Sequence, residues 1–176
     1  EPFNTRGKRM DDAIRILRSD WGDAKVDYDY GHYSSTAMAM EPKPPQGASL
    51  PIWIGGNVDR ALRRVAELGD GWLATAIVDA AVAMKSREKI TRYAEAADRD
   101  PSTIGYQMML DVPPQDEEGK QFYKDLDGVV ARANAVREMG FEWGALNATA
   151  IFQAGHRSVD AIIDVLGHIH DAIKAG

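Results

Sequence analysis

Five residues near the middle of the chain, Gly55-Gly56-Asn57-Val58-Asp59, have the types and order that suit the binding of a phosphate. They follow Ile52-Trp53-Ile54, a short apolar run with strand propensity. They precede a helical pattern in which Val58, Leu62, Val65 and Ala66 share one face. Glycine admits positive φ and lets a ligand approach the backbone closely. The first amide N–H groups of a helix have no intrahelical acceptor and lie at the positive end of its dipole, so an anion is favoured there. Asn57 or Asp59 is expected to cap that helix. An ordinary strand-to-helix turn, with glycines serving only tight packing, has the same spacing.

Other chemistry-bearing residues form no constellation. His168 and His170 are two apart on a helical pattern, so they face different ways and make no metal pair. His156 stands alone in the loop after the last apolar strand pattern, and His32 sits in a surface hairpin. The Asp and Glu clusters read as solvated rather than paired for acid–base work. With no cysteine, neither a disulfide nor a thiolate metal site is available. A formal charge of -6 argues against a nucleic-acid surface, and no apolar run is long enough for a membrane span. The cytosol is the default compartment. The opening residue is Glu1, which fits a fragment of something longer.

A chain of 176 residues with 44% hydrophobic content can bury a core, and a single domain over 1–176 is expected. Residues 1–50 read as a lead-in. A helix covers Arg6 to Ser19, with Met10, Ala13, Ile14, Leu17 and Trp21 on its apolar stripe and its charges on a solvated face. An irregular hairpin around Gly31 follows, then a proline-bearing extended stretch from Glu41 to Gly47. Residues 51–176 read as four strand–helix units. Their strands fall near Ile52–Ile54, Gly71–Ile77, Ile104–Val112 and Glu142–Ala150. Their helices fall at Asp59–Leu68, Asp79–Asp98, Gln121–Met139 and Ser158–Ala175, the last with Val159, Ile162, Ile163, Leu166, Ile169 and Ile173 inward. Pro113-Pro114 and Asp116-Glu117-Glu118 make a solvated loop. Alternation of this kind implies α/β architecture with parallel strands. Ile52, Ile54, Trp72, Met108, Leu110 and Ala145 are expected on an inner face that needs a cover. A complete eight-unit barrel needs about 250 residues, so either a small open sheet or part of a barrel is possible.

The wording of several segments narrows this. Arg6-Gly7-Lys8-Arg9-Met10-Asp11-Asp12-Ala13, Met40-Glu41-Pro42-Lys43-Pro44, Pro51-Ile52-Trp53-Ile54-Gly55-Gly56, Ala61-Leu62-Arg63-Arg64 and Leu68-Gly69-Asp70-Gly71-Trp72, in that order, resemble the luciferase-like monooxygenase family. The resemblance implies the C-terminal half of a TIM (β/α)8 barrel. It implies an oxidoreductase or monooxygenase that uses FMN or the deazaflavin coenzyme F-420 on a small-molecule substrate. By the same resemblance Gly55, Gly56 and Asn57 contact the cofactor phosphate, the N–H groups of Gly56, Asn57 and Val58 are expected to face an open rim, and Thr75 lies on the same rim. In that family the flavin ring and substrate are held largely by the N-terminal half, so no catalytic residue carries over. The expected partner is the missing N-terminal half or a second copy of the chain. The alternative is a non-catalytic half-barrel that binds a phosphorylated ligand or a partner chain.

Overall fold

The computed structural model describes residues 2–77, 79–111 and 121–175. Helix α1, Arg6–Gly22, leads into an antiparallel hairpin of β1, Val26–Asp29, and β2, Ser34–Met38, whose register slips between Val26 and Tyr28. After the proline-bearing stretch the chain alternates. Strand β3 is Trp53–Gly55 and helix α2 is Asp59–Leu68. Strand β4, Gly71–Ala74, is followed by α3, Ala80–Ala96. Strand β5 is Gly105–Met109, α4 is Leu126–Glu138 and β6 is Trp143–Ala145. Two helices close the chain, α5 at Ala148–Gln153 and α6 at Val159–Ala175. The four later strands form one parallel sheet in the order β3-β4-β5-β6. The fold is therefore α/β, as the alternation predicts. No helix among the described residues is long and apolar enough to cross a membrane.

The register fixes which side chains share a face. Ile54, Trp72 and Tyr106 stand side by side, with Met108 two positions further along β5. All four are buried, together with Leu62, Val65, Ala83, Ile90, Ala94 and Phe141 from the helices and turns. The sheet's other face carries Trp53, Leu73, Gln107, Met109 and Ala145, all half-exposed, and Trp143, which is 61% exposed. This corrects the expected inner face. Ile54, Trp72, Met108 and Leu110 lie beneath the helices, Ile52 packs against that same cluster, and only Ala145 is on the bare side. Strands of three to five residues are too short for composition to reveal their phase. The floor of the bare face is a single ring. A Cβ at Gly71 or Gly105 would come within 2.3 or 2.5 Å of the Trp53 indole, so Trp53 lies flat across β4 and β5 where both lack side chains.

Some elements end earlier than their apolar runs. Expected to reach Ala150, β6 stops at Ala145 because Asn147 accepts hydrogen bonds from the amides of Thr149 (3.0 Å) and Ala150 (3.4 Å) and starts α5. Similarly, Asp125 accepts from the Gly128 amide at 3.0 Å and starts α4, after a 3-10 turn at Phe122–Lys124. The end of the expected third strand at Val112, and the loop with Pro113-Pro114 and Asp116-Glu117-Glu118, lie outside the described residues. In α6 the buried positions are Val165 and Ile169, while Val159 and Ile163, expected inward, are exposed.

Helix α1 also sits rotated from expectation. Ile14 and Ile16 are buried, but Met10 and Leu17 are exposed. Several charges expected in solvent form the docking surface instead. Asp12 is 2% exposed and is held by Lys8 at 2.6 Å and Arg15 at 3.3 Å. Arg64 of α2 donates to the Asp11 carboxylate and, at 3.1 Å, to the Gly7 carbonyl. Arg18 donates to the carbonyls of Ala48 and Leu50, each at 2.6 Å, and to the Asp70 carboxylate. Asp70 in turn accepts from the Ile52 amide at 2.7 Å, at the entrance to β3.

The floor of the bare face yields a direct test. Gly71→Ala forces the indole of Trp53 off both strands, and a loss of about 1–3 kcal/mol is expected from overpacking. Urea denaturation measures it, and stability equal to wild type would show that the ring is free to move.

Candidate functional site

The turn after β3 is shaped from behind by the core. Trp72 is fully buried, and its indole N–H needs an acceptor. It donates to the Gly56 carbonyl at 2.9 Å. Across a trans peptide the carbonyl of one residue and the amide of the next point in opposite directions. The Asn57 N–H is therefore turned away from Trp72. Gly56 has φ +111°, and a Cβ there would lie 3.0 Å from the Ala61 side chain, so a side chain is disfavoured twice over. Gly55 is different, because a Cβ there meets only the Leu73 carbonyl at 3.8 Å, an ordinary contact.

Helix α2 begins without a side-chain cap. Its N-cap is Val58, an exposed residue whose carbonyl accepts from the amides of Ala61 (2.8 Å) and Leu62 (3.1 Å). Asn57 and Asp59, the expected caps, are engaged elsewhere. The Asn57 side-chain amide donates to the Thr75 hydroxyl. Asp59 accepts from Lys89 and Tyr93 of α3, each at 2.9 Å. Those hydrogen bonds, from Lys89 first and then Tyr93, hold its carboxyl below the usual range. The acid at the start of α2 thus faces a lysine on the neighbouring helix. The amides of Asp59 and Arg60, the first two of the helix, have no intrahelical acceptors, so an anion can be received there.

The Gly56–Asn57 turn and the start of α2 follow the C-terminal end of β3 and so lie on one rim of the sheet. Thr75 follows β4 and is exposed beside Asn57, so two expected site residues are directly bonded. Further along the rim is a buried polar set that sequence reasoning missed. Asp111, just beyond β5, is 4% exposed and accepts from the Tyr123 hydroxyl at 3.3 Å. The same hydroxyl accepts from the Asn147 amide at 2.8 Å, joining the ends of β5 and β6. Burial raises the pKa of Asp111 above the ordinary carboxylate range and pushes the Tyr123 phenol up as well. Arg132 of α4 reaches the same rim, donating to the Ile77 carbonyl at 2.8 Å, with burial lowering its pKa. The histidines take no part. His168 and His170 are exposed on α6, His156 follows α5, and the described residues contain no cluster able to hold a metal ion.

The raised Asp111 pKa carries a pH signature. A group that holds its proton more tightly when folded contributes stability that is complete below its unfolded pKa, about 3.9, and is lost as pH rises through the folded value. Asp111→Asn keeps an acceptor for Tyr123 and removes the titration. The variant is expected to match wild type near pH 4 and to exceed it at pH 7, as read from urea midpoints across that range. A constant gap at all pH would contradict the assignment.

Comparison with known proteins places this rim in context. Residues 1–141 match the model of the luciferase-like monooxygenase family. An uncharacterized protein of Mycobacterium tuberculosis and another of Mycobacterium bovis are each 43% identical over 75 residues, which is 41% of this chain and 24% of theirs. Among solved structures, the coenzyme F-420-dependent tetrahydromethanopterin reductase of Methanopyrus kandleri superposes with a TM-score of 0.62 at 13% identity over 89% of this chain and 63% of its own. An F-420-dependent secondary alcohol dehydrogenase gives 0.63 at 15% identity over 98% and 63%. A monooxygenase from Streptomyces bottropensis gives 0.64 at 15% identity over 84% and 55%. The chain thus spans less than two thirds of each of these proteins. The matched model covers most of the sequence, including α1, the Gly55-Gly56 turn and the first three parallel strands, and on that ground the chain belongs to the luciferase-like monooxygenase family.

Proposed function

We propose that this chain supplies the cofactor-phosphate end of a flavin- or deazaflavin-dependent oxidoreductase. The observation that carries this reading is the Trp72–Gly56 hydrogen bond, which turns the Asn57 amide away from the core beside uncapped amides of α2. The residues present fit a phosphate: Gly56 has a conformation that strains any side chain, Gly55 and Val58 flank it, and Thr75 steadies Asn57. FMN and coenzyme F-420 both carry a phosphate on the chain leading from the ring. When bound, such a cofactor supplies hydride transfer or oxygen activation toward a small-molecule substrate. This chain's residues grip the tail and set where the ring can reach. Two structural neighbours are named as F-420-dependent and a third as a monooxygenase, so the proposal keeps both rings.

The same proposal treats the four strand–helix units as half of a (β/α)8 barrel. Among the described residues both outer strands of the sheet, β3 and β6, have an open edge, and the bare face ends at the exposed Trp143. Val159 and Ile163 on α6 are exposed as well. Open edges invite pairing, and a large apolar patch is rare on a soluble monomer. The cover is an N-terminal half or, failing that, a second copy of the chain. A non-catalytic half-barrel that binds a phosphorylated ligand or a partner chain is favoured by one observation: no strand residue on the bare face is titratable.

Two outcomes test this. In the intact protein FMN is expected to bind about tenfold or more tighter than riboflavin, as hydrogen bonds to a charged group predict, and Gly56→Val should erase that preference while the fold persists. Fluorescence titration measures both, and an unchanged preference in the variant would sink the phosphate assignment. In sedimentation, this chain alone is expected to self-associate. A stable monomer that turns over a reduced flavin or deazaflavin unaided would overturn the half-barrel.

A further inference from the structure

We propose that Gln107 is a specificity-determining residue, its carboxamide pairing with an adjacent C=O and N–H on the edge of a flat heterocyclic ring that rests against Trp143. This rests on the reading of the Gly55–Val58 turn as a cofactor-phosphate site. Register places Gly55, Leu73, Gln107 and Trp143 in one row across the bare face. Gln107 brings the only carboxamide among the strand residues of that face, and no hydrogen bond to its side chain is formed by the described residues. Its neighbours in the row are apolar, so any cover must either satisfy the amide or leave it stranded.

The surroundings favour a ring approaching from the rim. Beyond the row lie Thr75, Met109 and Ala145, two of them small, while Gly55 offers no side chain at all. Trp143, 61% exposed, presents a flat apolar wall beside the amide. Two strand spacings, about 10 Å, separate the β3 turn from β5, which leaves room for the polyol chain between a phosphate and a ring. A carboxamide offers both a donor and an acceptor and keeps them at every pH. It therefore matches a C=O/N–H pair at two points. Flavin and deazaflavin rings share such an edge on their pyrimidine portion.

The test titrates ring ligands into the intact protein and its Gln107→Leu variant, with circular dichroism to verify folding. Riboflavin, which lacks the phosphate, isolates the ring, and 3-methylriboflavin blocks the N–H of the paired edge. Wild type is expected to bind riboflavin about tenfold tighter than the methylated ligand. Gln107→Leu should lose about that factor on riboflavin, FMN or coenzyme F-420 alike and bind the two riboflavins equally. Equal binding of both riboflavins by wild type, an unchanged affinity in a folded variant, or no binding of either ring class would overturn the proposal. If FMN and riboflavin bind equally while the methyl effect and its loss in the variant remain, the phosphate reading fails and the role of Gln107 stands.

Discussion

The hydrogen bond from the Trp72 indole to the Gly56 carbonyl is the constraint on which the candidate site depends. It exists because a tryptophan buried under two helices has one polar atom to satisfy, and the nearest backbone able to accept belongs to the adjoining strand's turn. Satisfying that atom orients a peptide plane, and the orientation decides what the rim presents to solvent. The turn is thus an extension of the hydrophobic core. A substitution among Leu62, Val65 or Phe141 that shifted Trp72 would be felt at the rim although none of the three touches solvent.

The two faces of the sheet are finished differently. On the covered side Trp72, Tyr106 and Phe141 form an aromatic cluster with ring centroids 5.6–6.5 Å apart, Tyr106 meeting the other two edge-on. The Arg87 guanidinium lies 4.4 Å above the Tyr106 ring and donates to the Met139 carbonyl at 2.9 Å. Its Nε stays buried there without a hydrogen-bond partner among the described residues. On the bare side a single ring, Trp53, covers two glycines and the rest stays half-exposed or, at Gly55 and Trp143, exposed. One side is complete within this chain, while the other keeps its packing capacity in reserve.

Much of this order is legible in the sequence. The bounds of α2 match the apolar spacing of Leu62, Val65 and Ala66, and the succession of strands and helices follows from punctuation by glycine and proline. The turn itself is legible too, since the Gly55-Gly56 pair marks the end of β3 before α2. Strand phase is not, because β3 and β6 offer only three residues each and both faces accept apolar side chains. Nor are partners that meet only after folding. Trp72 lies 16 residues from Gly56, and Asn147 lies 24 from Tyr123, with no local pattern to join them. The rotation of α1 escaped for the same reason: its charged residues are anchored by groups far along the chain.

Arg18 draws out what that distance means for the order of assembly. Its three acceptors lie 30, 32 and 52 residues downstream. Closing such loops costs entropy before any contact offsets it. In the chain, α1 precedes each of these acceptors, and Arg64 as well. Its docking therefore waits until β3, α2 and the Asp70 turn have formed together. The β3–α2–β4 unit that builds the Gly55–Asn57 turn is thus also the surface on which α1 comes to rest.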